Sequence, residues 1–161
     1  MPLLIVGVVV LVALIGAVIG LISALAGRKK VLKSFLQSCA LDTSKYVNEC
    51  AKLRSEYQNG LQNPSFVRTY WNTLFDTATS VSTKWQDAAA NTGAGSGRAN
   101  NPYYLFSQTV TAHKDAMVAW VESLESGAET TKVAAASVNN VEVSLVTMIT
   151  EKFPEVVRPN G

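Results

Sequence analysis

Hydrophobic and polar positions divide the chain into one unbroken apolar run followed by a series of helical stripes. Residues 3–27, beginning LLIVGVVVLVALIGAVIG, carry no charge, and Arg28, Lys29 and Lys30 then arrive together with Lys33 close behind. As a helix this run spans about 37 Å, against a bilayer core of about 30 Å. It is long enough to cross a membrane. The rest of so short a chain cannot surround such a helix on every side, which argues against a buried helix of a soluble fold.

From Leu32 the pattern changes period. Leu32, Leu36, Cys39, Thr43, Tyr46, Cys50, Leu53 and Tyr57 alternate intervals of four and three, the seam of a helix with one polar flaw. At that flaw, in LDTS, Asp42 has the chemistry of a helix cap, so the first helix is expected to end near residue 40 and restart. Gly60 and the NPS at 63–65 then stop it, Pro64 suiting a first-turn position.

A second helix is predicted from about Ser65. Val67, Trp71, Leu74, Ala78, Val81, Trp85 and Ala88 keep the same alternation, and Phe66, Tyr70 and Phe75 widen the stripe as a bundle helix requires. NTGAGSGRANNP, at 91–102, reads as a flexible loop. The third helix, 103–126, carries Tyr103, Phe106, Val110, His113, Met117, Trp120 and Leu124 before Gly127. The fourth, 129–153, carries Val138, Val141, Leu145, Met148 and Ile149. Its VEVSLVTMIT also alternates like a strand, but no second strand is evident to pair with it, so a helix is expected.

The fold expected from this pattern is all-α: a single N-terminal transmembrane helix followed by an antiparallel three- or four-helix bundle. Its segments are an anchor at 1–27, a basic collar at 28–33, the bundle at 34–153 and a tail at 154–161.

Charge adds an orientation. Arg28, Lys29, Lys30 and Lys33 are four of fourteen basic residues; the remainder sets ten basic against twelve acidic residues, with signs interspersed. The basic balance therefore describes a membrane collar, and a nucleic-acid partner is not expected. Positive charge on that flank, with only Met1 and Pro2 on the other, predicts a single-pass topology with the N-terminus out and the bundle in the cytoplasm. Cys39 and Cys50 agree: on one helix they lie about 16 Å apart, beyond disulfide reach, and free thiols suit a reducing compartment. Inside the span, Gly16, Gly20 and Ala24 form a small-residue stripe through which two copies could pack as a homo-oligomer in the bilayer.

An alternative makes the apolar run a signal peptide cleaved after Ala26, since Ala24 and Ala26 have the required small-residue spacing. The run is longer than a signal core and its charges lie on the wrong flank. A retained anchor is the expectation.

Candidate chemistry is sparse. His113 falls on an apolar seam, where a lone imidazole is expected to hydrogen-bond a core neighbour. Glu122, Glu125 and Glu129 cluster beside Gly127 as a solvated helix end, and the Glu-x-x-His of di-iron bundles is absent. GAGSGR follows no strand and lacks the Lys-Ser/Thr of a phosphate loop. Trp71, Trp85 and Trp120 lie on the stripes as core anchors, Trp85 also being a candidate contact residue. No catalytic, cofactor or metal site is expected.

Two short stretches resemble a known family. KLRSEYQN at 52–59 is similar to the segment that follows the anchor of LemA proteins, and EKFPEV at 151–156 is similar to that family's proline turn. The arginine-rich, Ile-Pro-containing segment of that family has no counterpart between residues 60 and 90. The resemblance implies a membrane-bound helical protein and transfers no functional residue.

The expected function is that of a membrane-anchored, non-catalytic bundle that binds an unidentified protein or organises an assembly. The alternatives are a secreted or periplasmic helical domain released by cleavage and, third, a small enzyme or metal-binding bundle.

Overall fold

The computed structural model describes residues 2–92 and 101–157, with side chains at 25–92 and 101–156. Five helices and no strand occur among the described residues: α1 (Pro2–Gln58), α2 (Pro64–Asn91), α3 (Pro102–Ser123), α4 (Ala128–Lys152) and α5 (Pro154–Val157). The chain divides into two units, residues 1–36 and 37–161. The first is one continuous helical segment on which Arg28, Lys29, Lys30 and Lys33 are exposed. Gly16, Gly20 and Ala24 lie outside the residues whose side chains are described.

In the second unit the sequence punctuates the helices at identifiable residues. α1 stops at Gly60, whose φ of +71° is open to glycine at little cost. The Gly60 amide donates to the Tyr57 carbonyl at 3.0 Å and the Leu61 amide to Glu56 at 2.9 Å, the two bonds of a Schellman end. α2 begins with Asn63 and Pro64: the Asn63 side chain accepts from the Phe66 amide at 2.9 Å, while Pro64 needs no donor of its own. Asn101 and Pro102 repeat the device on α3, where Asn101 accepts from the Tyr103 amide at 2.9 Å. α4 starts at Gly127, which has a φ of +104° and caps with no side chain.

α2 packs on α3, and α3 on α4. All seven seam positions predicted for α2, from Val67 to Ala88, are buried. On α3, Phe106, Val110, His113, Met117 and Trp120 are buried, and on α1 Cys39, Tyr46, Cys50 and Leu53 are. Burial of this apolar stripe is the main term holding the helices together. One end of the core is aromatic. Trp85 stacks on Phe106 at 4.3 Å between ring centroids, and Phe153, just past α4, reaches both rings at 5.8 and 6.0 Å.

Three expectations change. α1 does not break at Asp42, which instead pairs with Lys84 of α2 at 2.7 Å; a partner on another helix removes its reason to cap. The third helix ends at Ser123, three residues early, with Leu124 and Ser126 in a turn closed by the Ser126 amide on the Ser123 carbonyl. The segment read as a tail opens with a helical turn, α5, anchored by the buried Phe153 and by a Gln37–Glu155 hydrogen bond of 2.9 Å. The central part of the predicted loop, 93–100, lies outside the described residues.

Among the residues whose side chains are described, α4 is the one helix long and apolar enough to cross a membrane. Two features of α4 argue against a transmembrane role. Val138, Leu145 and Ile149 are in the core, and Glu142 is ion-paired to α1. Drawing α4 into lipid would strip the first and carry the second into hydrocarbon.

Candidate functional site

The densest polar chemistry runs from the buried Tyr46, His113 and Arg54 outward through Glu142 to the exposed Asn139. Tyr46 and Arg54 come from α1, two turns apart on the face that carries the apolar seam. His113 is presented by α3, and Asn139 and Glu142, at i and i+3, share a face of α4.

His113 is completely buried, at 0% exposure, and both ring nitrogens are engaged. Its Nδ1 lies 2.9 Å from the Tyr46 hydroxyl and its Nε2 3.2 Å from Glu142 Oε1. The other Glu142 oxygen accepts from Arg54 Nη2, and Arg54 Nη1 donates to Asn139 Oδ1 at 2.6 Å. Both ring contacts are met when Tyr46 donates to Nδ1 and Nε2–H donates to Glu142 Oε1. Tyr46 and His113 also meet edge to face at 5.2 Å.

Burial dominates the acid–base character of the network's α1 side. It drives the Tyr46 hydroxyl far above the ordinary tyrosine range, reinforced by neighbouring Cys50 and Glu142, so the group stays protonated. Burial likewise pushes the Cys50 thiol up to about 12. Cys39 rises to about 11, again through burial, with Lys84 acting the other way. Both cysteines are free and buried. Neutral thiols are poor nucleophiles and poor metal ligands, so this environment suits packing rather than reactivity.

Arg54 Nε is the one buried side-chain polar atom without a hydrogen-bond partner among the described residues. The other buried polar side chains serve the helix contacts. Trp85 Nε1 donates to Thr43 Oγ1 at 2.9 Å, tying α2 to α1, and Ser82 meets Ser107 and Thr111 of α3 at 3.0 Å.

The residues named from sequence thus separate. His113 sits on its seam, hydrogen-bonded to core neighbours as expected. Glu125 is on the surface, paired with Arg68 at 2.6 Å, and Glu122 and Glu129 are exposed. Trp85 and Trp120 are fully buried and Trp71 nearly so, which makes Trp85 a core residue and not a contact surface. Among the described residues no group of three or more His, Cys, Asp and Glu side chains is arranged to hold a metal. Sequence reasoning missed Arg54, Asn139 and Glu142. One trace of them was legible: from Val133 to Thr150, Glu142 is the only charged residue.

No family model matches the chain, and no curated protein or solved structure matches it.

Proposed function

We propose that the chain is a single-span membrane protein in which residues 3–27 remain as an anchor, the N-terminus faces out and an antiparallel bundle lies in the cytoplasm. The bundle works without catalysis, as a docking or scaffold module for another protein. The outer side of α4 is the observation that carries the docking role. Val133 and Val143 are 62% and 66% exposed, Val146 is exposed beside them, and the one charge between Val133 and Thr150, Glu142, is turned inward to Arg54. The solvent side of α4 is thus free of charge, its exposed valines set among Ser137, Asn140, Ser144 and Thr147, a surface that a protein partner can cover without desolvating an ion. The resemblance of KLRSEYQN and EKFPEV to LemA segments favours the same class. Gly16, Gly20 and Ala24 offer the anchor a route to self-association.

A photo-reactive side chain placed at Val143 in cells tests this reading, with the exposed Thr73 of α2 as the control position. The expected result is a discrete protein adduct from position 143 that Val133→Lys with Val146→Lys removes. Adducts to lipid alone would place α4 against the bilayer and end the docking reading.

A further inference from the structure

Where the end of α1, the end of α3 and the start of α4 meet, the surface opens into a cleft of about 570 Å³. That volume falls within the range of small-molecule sites, roughly 300–1,000 Å³. Its accessible apolar lining is Ala128 and Ala136, above the buried Trp120, Leu124 and Ala135. Tyr57 stands over it, its ring edge-on to Trp120 at 5.9 Å. The opening on this side is held by Gly127, whose φ of +104° turns the chain from α3 into α4.

The polar groups of the cleft include several unspent donors, while the Thr131 hydroxyl gives its proton to the Ser123 and Gly127 carbonyls. Lys132 lines it and has no ion-pair or hydrogen-bond partner among the described residues. The Tyr57 hydroxyl and the Gln58 amide are likewise without hydrogen bonds among the described residues. Asn139 has its carbonyl oxygen committed to Arg54, which leaves its NH2 group as the free end. No carboxylate lines the cleft. One cation and several donors around an aromatic wall form a complement to an acceptor-rich anion with an apolar body.

We propose that this cleft binds a small amphipathic organic anion, an aromatic carboxylate being the chemical class, with its ring against Tyr57, Ala128 and Ala136 and its carboxylate at Lys132. The site lies at the end of the network in which Arg54 holds Asn139, so it draws on the same core without using the buried histidine.

The test uses the full chain in lipid nanodiscs, with 2-naphthoate and the uncharged 2-naphthamide as probes and empty nanodiscs as the blank. Saturable naphthoate binding is expected, tighter than that of the amide. Lys132→Gln should weaken naphthoate roughly tenfold, the loss of one charge-assisted contact, and leave the amide unchanged. Ala136→Trp, on the exposed rim, should block both probes while circular dichroism reports an unchanged fold. Equal binding of both probes, or naphthoate binding indifferent to Lys132→Gln, overturns the proposal. So does the lack of saturable binding by a correctly folded chain.

Discussion

Arg54 of α1 and Glu142 of α4 are 88 residues apart in sequence and meet as a buried ion pair, their side chains 7% and 12% exposed. Each has a second partner, Asn139 for the arginine and His113 for the carboxylate, so the pair joins α1, α3 and α4 at one point. Desolvating two charges offsets much of their attraction, so such a pair adds little net stability but penalises loss of either member.

Glu142→Ala is therefore expected to destabilise the bundle by roughly 3–5 kcal/mol, because Arg54, already short of one partner at Nε, is left as an uncompensated buried charge. Arg54→Met combined with Glu142→Leu should recover most of that loss. Urea unfolding of the single and double variants checks both, and additive losses in the double variant would contradict the coupling.

Stability should fall in alkali. The folded protein keeps the Cys39 and Cys50 thiols protonated to about 11 and about 12, whereas in the unfolded chain they ionise near 9.0. Because the folded pKa is the higher one, this stabilisation is complete below about pH 9 and is lost as pH rises through 11 and 12. Denaturant midpoints measured from pH 8 to pH 11 should decline. Cys50→Ala should flatten the decline, and a curve equally steep in that variant would count against a buried neutral thiol at this position.

Gly60→Ala should cost about 1–2 kcal/mol although nothing lies within 4 Å of the added methyl, since the penalty is that of the left-handed backbone alone. A thermal melt of this variant measures it. A neutral substitution would mean that α1 does not end in the Schellman bonds.

The helical stripes were legible because burial repeats with the helix period. Every predicted α2 seam position from Val67 to Ala88 is buried, and the helix choice for VEVSLVTMIT agrees with α4. Starts were readable where backbone chemistry is local, as at Asn63–Pro64. Asp42 misled for the opposite reason. Its preference for a cap is a short-range tendency, outweighed by Lys84, 42 residues away. The core network was invisible for the same reason: polarity in a pattern marks surface, and only the fold brings Arg54, His113 and Glu142 into contact.

We propose that the N-terminal run, and not α4, holds the protein at the membrane. The most direct measurement is flotation with membranes of the full chain and of a variant lacking residues 2–27, with intact mass taken on the native protein. The full chain should float and retain its N-terminus, while the shortened chain stays at the bottom of the gradient with an unchanged helical spectrum. A native N-terminus at Gly27, or a shortened chain that still floats, would contradict the account.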